Sequence, residues 1–134
     1  MAAALALAGA GTAQAAASPA QVVRAWSRAL NANDNERAAR LFASGAVVVQ
    51  PGVNVRLTSH ALAVAFNAAL PCAGKIVAIR VRGERATATF LLGHRPQHVC
   101  DGPGAKAAAL FVVHDGKIVV WQQVPVPAPS KPTA

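Results

Sequence analysis

The chain has few acidic residues. Only five Asp and Glu stand against 13 Lys and Arg in 134 residues, which gives a formal net charge of +8 at pH 7. All five occur where helix caps and turns are predicted, and such positions explain them without a catalytic role. They are Asp34, Glu36, Glu84, Asp101 and Asp115. Chemistry that needs a carboxylate on a strand inside a pocket is therefore disfavoured.

Aromatic residues are also scarce, at 4% of the chain, and the apolar fraction of 54% is inflated by Ala, which forms about a quarter of the sequence. Because Ala contributes little buried area, the core must rest on Val, Ile, Leu, four Phe and two Trp. One domain of this length buries about two-thirds of the surface of its unfolded chain, enough for one core and a modest pocket.

The positive charge comes without a nucleic-acid motif and without aromatic residues among the basic ones, so nucleic acid is not an expected partner. Six of the nine Arg residues map to predicted helix surfaces and to one face of a strand, and Arg85 lies across the turn from that strand. The six are Arg24, Arg28, Arg37, Arg40, Arg80 and Arg82. We expect a solvated basic surface. Net charge alone would attract it to anionic cell-wall polymers or lipid headgroups.

Residues 1–17 are typical of an export signal. An apolar stretch leads to 13–15 (AQA) and 15–17 (AAA), two small-x-small cleavage patterns, although no Lys or Arg precedes Arg24. The alternative is a disordered Ala-rich tail. A membrane span is disfavoured because Ala and Gly dominate and the apolar part is too short. We expect cleavage near Ser18 and a secreted or cell-envelope protein.

The two cysteines fit export. Cys72 follows a predicted helix, and Cys100 lies in the Gly/Pro-rich segment HRPQHVCDGPG. An even count in a small exported domain predicts a Cys72–Cys100 disulfide. Zinc is the alternative, since His94 and His98 are near, but a zinc site needs about four ligands at fitting spacings. We expect no metal and no cofactor.

Hydrophobic periodicity divides residues 18–125 into three helices and six strands, and 126–134 form a Pro-rich tail predicted to be disordered. The first helix starts behind Ser18, the second runs from Asp34 to Gly45, and the third covers 60–70 with Leu62, Phe66 and Leu70 inward. Strands are predicted at 47–50, 53–57, 75–82, 85–93, 106–114 and 117–124. Helices followed by a strand meander indicate an α+β domain.

This pattern resembles the nuclear transport factor 2-like / SnoaL-like superfamily, which includes ketosteroid isomerase. The similarity rests on VVRAWSRALNANDNERAARLFASGAVVVQPG, on the helix behind Ser59 and on the strand pair ending in HDGKIVVWQQ. It is closest to small secreted actinobacterial members with paired cysteines, which are of unassigned function. The resemblance implies a cone-shaped fold with three N-terminal helices packed on a curved antiparallel sheet.

The resemblance also implies where isomerase chemistry would be found. Isomerase members carry a Tyr on the first helix and an Asp at each of two strand positions, and here those positions hold Trp26, Gln50 and Ala109. An amide cannot abstract a proton near neutral pH, and Ala offers no donor to an oxyanion. Isomerase chemistry is therefore not expected.

Two hypotheses about function follow. The favoured one is a non-catalytic pocket that binds a small apolar ligand or a partner. It would be lined by Trp26, Gln50, Phe66, Phe90, Leu92, Phe111, Trp121 and Gln123, with the two amides orienting the ligand; a filled core is the alternative for the same residues. The second is a weak lyase, isomerase or hydrolase that pairs His94 or His98 with Asp101.

The outer strand face with Thr87, Thr89 and Leu91 could pair two chains into a homodimer.

Overall fold

Residues 15–129 are described by the structure, a computed structural model of the chain. The elements are α1 (Pro19–Asn31), α2 (Asn35–Arg40), β1 (Phe42–Gln50), β2 (Val53–Leu57), α3 (His60–Ala69), β3 (Cys72–Arg82), β4 (Arg85–His94), β5 (Lys106–His114) and β6 (Lys117–Val124). Most of the signal-like segment 1–17 and residues 130–134 of the tail lie outside the described residues. None of the described helices is long and apolar enough to span a membrane.

The three helices start where their caps predict. At α1, the Ser18 hydroxyl accepts the N–H of Gln21, and the Gln21 side chain accepts the N–H of Ser18 in return, which makes a capping box. Asp34 and Ser59 cap α2 and α3 by accepting the backbone N–H three residues further on. These capping hydrogen bonds confirm the predicted starts of the three helices.

The six strands form one curved sheet in the order β2-β1-β6-β5-β4-β3. All neighbouring strands are antiparallel except β1 and β6, which run parallel. The fold is therefore α+β as predicted, but the prediction of an antiparallel sheet is wrong at the β1–β6 pair. Strand direction there is set by the long connection through α3 and the β3–β5 meander, which local patterns do not report.

The segment after α2 differs from the prediction. The helix ends at Arg40, not at Gly45, and β1 begins at Phe42, which pairs with Ile118 of β6. Gly45 has a φ of +79° and lies in a register shift between Phe42 and Val47, so it marks a β-bulge inside a strand. Gly45 was predicted to end a helix, and in the structure it bends a strand.

The inward faces of β3 and α3 depart from simple periodicity, and Leu62 of α3 does not point inward as predicted. On β3, a register shift between Ile76 and Ala78 turns Ile76 toward the core and leaves Val77 46% exposed. On α3, the innermost side chains are Ala63 and Asn67, whereas Leu62 is 43% exposed. Phe66 and Leu70 pack against the core from its margin.

The core lies between α1 and the inner face of the sheet, and Trp26 is at its centre. The ring of Trp26 lies 5.3 Å from that of Phe111, 6.0 Å from that of Phe90 and 6.2 Å from that of Trp121, centroid to centroid. The contacts with Phe111 and Phe90 are edge-to-face, a geometry that adds stabilisation beyond area burial. A few aromatic rings thus unite a core whose other members are mainly Ala and Val.

Candidate functional site

A partly enclosed cavity of about 290 Å³ lies beside this core, between α1, the inner face of the sheet and the start of β3. Its walls are mostly apolar: Trp26, Leu30, Leu70, Pro71, Ala73, Gly74, Phe90, Leu92, Ala107, Ala108, Ala109 and Trp121. Polar groups enter it from Ser27, Gln50, Asp101 and Gln123. A mostly apolar cleft with a few convergent polar groups is the usual form of a small-molecule site.

Six of the eight residues predicted to line a pocket do line this cavity: Trp26, Gln50, Phe90, Leu92, Trp121 and Gln123. The other two do not. Phe111 is fully buried against Trp26 and Trp121, and Phe66 packs its ring 5.1 Å from that of Trp121. The cavity and the packed core are therefore adjacent, and the scarce aromatic residues are divided between them.

Comparison with known proteins gives matches of structure and none of sequence. No protein-family model and no curated protein matches the chain. A protein from Sphaerobacter thermophilus superposes with a TM-score of 0.66 at 21% identity, covering 86% of this chain and 100% of that one. A nuclear transport factor 2-like protein of unknown function from Cytophaga hutchinsonii has a TM-score of 0.65 at 11% identity, with 80% and 88% covered.

A further similar structure is a Catenulispora acidiphila protein with a ketosteroid isomerase-like fold, solved in complex with trimethylamine. It has a TM-score of 0.62 at 18% identity and covers 81% of this chain and 87% of that one. This chain has the nuclear transport factor 2-like fold. At such identities the likeness concerns the fold, which hosts many functions. Function must therefore be argued from the site of this nuclear transport factor 2-like domain.

The three isomerase positions of the fold carry no acid or base here. Trp26 donates its indole N–H to the Asn67 side-chain oxygen at 2.8 Å, so that donor is already used inside the protein. Gln50 and Ala109 line the cavity with an amide and a methyl group. Neither can abstract a proton near neutral pH, and Ala109 offers no donor to an oxyanion.

Trp121 has a different environment from Trp26. It lines the cavity, and its buried indole N–H has no hydrogen-bond acceptor among the described residues. A buried donor without a partner costs free energy comparable to its desolvation. Buried donors without an acceptor are rare in native proteins. A ligand atom or a water molecule that accepts from Trp121 would explain this one.

Within residues 15–129, Asp101 is the only charged side chain that lines the cavity. It is held there by the predicted disulfide, which is present between Cys72 and Cys100 with an S–S distance of 2.04 Å. One Asp101 carboxylate oxygen lies 3.4 Å from the Cys72 sulfur, a contact rather than a hydrogen bond because a disulfide sulfur has no proton. The same bond removes both thiolates, so the Cys72, Cys100 and Asp101 cluster does not fit zinc.

The histidines do not line the cavity. His94 uses Nδ1 to accept the backbone N–H of Cys100 at 2.9 Å and lines a second concavity next to the cavity. In the described residues, no ring nitrogen of His94 or His98 lies within 4.0 Å of the Asp101 carboxylate. The predicted His–Asp pair is therefore not assembled in this conformation.

The other two histidines pair with acids at the surface. His60 lies 2.6 Å from Glu36, and His114 lies 2.6 Å from Glu84. The hydrogen bond that the His114 ring donates to the Glu84 carboxylate, helped by the charge of neighbouring Asp115, raises the pKa of His114. Neither histidine lines the cavity, so these pairs belong to the surface of the domain.

Sequence reasoning missed Arg95, which is only 2% exposed. Its guanidinium donates to the backbone oxygens of Asn67 and Leu70 at the end of α3. It also donates to the side-chain oxygens of Asn33, in the loop after α1, and of Asn35, the first residue of α2. The available signal was Asn67 itself, a polar residue within an apolar helix. Asn67 links Arg95 to Trp26 and hence to the wall of the cavity.

Proposed function

We propose that this nuclear transport factor 2-like domain is an exported protein that binds a small, mostly apolar molecule without transforming it. The observation that carries the proposal is the 290 Å³ cavity, whose walls are apolar and aromatic and whose amides, Gln50 and Gln123, are neutral. Neutral amides can orient a ligand, but they cannot act as an acid or a base near neutral pH.

Two further observations support parts of this proposal. The unpartnered indole N–H of Trp121 would gain an acceptor from a ligand oxygen or nitrogen if the ring adjusts on binding. The Cys72–Cys100 disulfide is compatible with export, because such bonds persist in oxidising compartments. The similar Catenulispora acidiphila structure, solved with trimethylamine, is in keeping with a fold that accommodates small organic molecules.

A catalytic role as a lyase, isomerase or hydrolase using His94 or His98 has less support. Neither imidazole lines the cavity, and Nδ1 of His94 already accepts a backbone N–H. Asp101 alone would have to supply acid–base chemistry, and it is an exposed carboxylate on a loop.

Tryptophan fluorescence can test binding, because both Trp residues of the chain line the cavity and there is no Tyr. Titration with borneol and with cyclohexanol, two neutral alcohols that do not absorb with Trp, should give a saturable change for at least one. Ala107→Leu adds bulk to the cavity wall and should weaken that binding at least about tenfold, the effect of roughly 1.4 kcal/mol.

The matched control is Ala78→Leu, the same change at an exposed position of β3. It should bind the probe as the unchanged protein does. If no neutral probe causes a saturable change, or if Ala107→Leu binds as tightly as Ala78→Leu, the cavity is not a ligand site.

A further inference from the structure

A second concavity, of about 490 Å³, lies next to the cavity, and Ser27, Ala73 and Gly74 line both. We call it the basic groove. Helix α1 forms one wall, and the first half of β3 with the end of β4 forms the other. Its lining residues are Arg24, Ser27, Arg28, Asn31, Ala73, Gly74, Lys75, Ile76, Leu91, Gly93 and His94.

All the ionisable side chains that line the basic groove are basic: Arg24, Arg28, Lys75 and His94. No acid pairs with them, because the ion pairs within 4.0 Å in residues 15–129 join only His60 to Glu36 and His114 to Glu84 and Asp115. Arg24 and Arg28 are four residues apart on α1, and like charges at that spacing destabilise a helix. Arg28 lies in the last turn of α1, where the helix dipole favours a cation, but Arg24, Lys75 and His94 have no such benefit. A bound anion would offset the mutual repulsion of these side chains.

His94 can contribute a donor to the groove without being protonated. Its Nδ1 accepts the N–H of Cys100, so in the neutral ring the proton is on Nε2, which is left to donate. Asn31 and Ser27, by contrast, already bond to Gly74 across the groove wall. The basic groove therefore offers the charged donors of Arg24, Arg28 and Lys75, and no acidic side chain in the described part of the chain lines it to accept from them.

The groove also has an apolar part and room for a ligand. Ile76 and Leu91 line it beside the cations, and Leu91 is 39% exposed. A Cβ atom built on Gly93 would meet nothing within 4 Å, so the space above this residue is open. An anionic head with a small apolar group attached would match both parts.

We propose that the basic groove binds a phosphate or carboxylate oxyanion that carries a short alkyl chain. Guanidinium groups bind such oxyanions with two parallel hydrogen bonds, which a diffuse positive surface does not provide. The alkyl chain lies on Leu91, the exposed apolar side chain of the groove. This site is separate from the cavity, and the proposal does not depend on the proposed function of that cavity.

Butyl phosphate is a suitable probe, with inorganic phosphate, butanol and butylammonium as comparison ligands. Isothermal titration at low salt should show butyl phosphate binding more tightly than inorganic phosphate, and neither butanol nor butylammonium binding. The amide resonances of Gly74 and Gly93 should shift in ¹⁵N-resolved spectra. Affinity should fall as salt is raised toward 0.3 M, because exposed charges are screened over about 8 Å or less.

The decisive comparison uses two double variants that each remove two positive charges. R24A/R28A removes them from the groove, and R80A/R82A removes them from exposed positions at the end of β3 outside it. The groove variant should lose at least about fivefold in affinity, in line with two exposed ion pairs. The control should change less than about twofold. An equal loss in both variants would mean that net charge alone attracts the anion, and the site would be rejected.

Gly93→Leu tests the location without changing charge, since the added side chain enters open space. It should block butyl phosphate and leave the circular dichroism spectrum unchanged. Vesicles of phosphatidylcholine with and without phosphatidylglycerol distinguish a lipid headgroup from a free ester. Co-sedimentation that R24A/R28A abolishes assigns the oxyanion to a membrane lipid, and its absence assigns it to a soluble molecule. Undiminished butyl phosphate binding by Gly93→Leu would overturn the proposal.

Discussion

At the scale of single residues, Arg95 shows how an interior position can be polar without a counter-ion. Its four hydrogen bonds in the described residues all go to neutral oxygens, and burial lowers its pKa. Two of the acceptors are carbonyls at the C-terminal end of α3, where a cation is favoured by the helix dipole. One side chain thus joins α3, β4 and the loop between α1 and α2.

Arg95→Ala should lower the free energy of unfolding by roughly 2–4 kcal/mol, because it leaves buried acceptors without donors and creates a cavity. Urea denaturation with the disulfide intact measures this. Arg80→Ala, at an exposed position of β3, is the control and should stay within about 0.5 kcal/mol of the unchanged protein. A loss below that value for Arg95→Ala would show that water replaces the guanidinium at little cost.

At the scale of elements, α1 is joined to the edge of the sheet through one glycine. The Asn31 side chain accepts the N–H of Gly74 at 3.1 Å and donates to its carbonyl at 3.0 Å. These bonds satisfy backbone groups of an edge strand that would otherwise be open to another chain. The same contact forms the wall between the cavity and the basic groove, since Gly74 lines both.

Gly74→Ala should therefore disturb packing between β3 and β4. The added Cβ would lie 2.8 Å from the Cβ of Phe90, which real contacts do not permit, so a strand must shift. We expect a loss of about 1–3 kcal/mol in thermal or urea unfolding. Gly93→Ala places the same methyl group in open space on the neighbouring strand and should be nearly neutral. Equal effects in the two variants would contradict this packing argument.

At the scale of the whole molecule, the disulfide joins the start of β3 to the loop between β4 and β5. It closes a segment with a sequence separation of 28 residues and positions Asp101 at the cavity. In the chain-entropy description, such a closure contributes roughly 3.5 kcal/mol. A domain whose core is mainly Ala and Val depends on that contribution more than a domain rich in large side chains would.

Reduction with dithiothreitol should lower the free energy of unfolding by about that amount, as measured by urea denaturation with and without reductant. The Cys72→Ala, Cys100→Ala double variant serves as control, because its stability should match that of the reduced protein and should not respond to the reagent. If reduction leaves the stability of the native protein unchanged, the bond does not constrain the unfolded chain as described.

Local signals predicted much of this molecule. The caps at Ser18, Asp34 and Ser59 and the turn at Asp115–Gly116 depend on neighbouring residues, so the sequence reports them directly. The prediction of a helix up to Gly45 is wrong for the opposite reason. Whether that segment is a helix or a bulged strand is decided by its pairing with β6, which lies more than seventy residues away.

Some residues of the candidate site could likewise be predicted from local patterns, and others could not. Alternation along the strands placed Phe90, Trp121 and Gln123 on the inner face, where the cavity is. Alternation could not separate them from Phe111, which is core, because both environments need an inward apolar residue. Asp101 and Arg95 lie on or beside a loop whose path is set by the disulfide and by distant hydrogen bonds, so no periodicity marks their positions.

The sequence by itself determined the α+β class, the helix starts, most strand limits and the absence of acids from the isomerase positions, since each depends on residue type and local spacing. Only the tertiary structure decided that β1 and β6 run parallel, that Asp101 reaches the cavity and that Arg24, Arg28, Lys75 and His94 converge in one groove. These are relations between residues far apart in the chain. They are set by how the sheet curves and how the helices pack on it, which no local pattern contains.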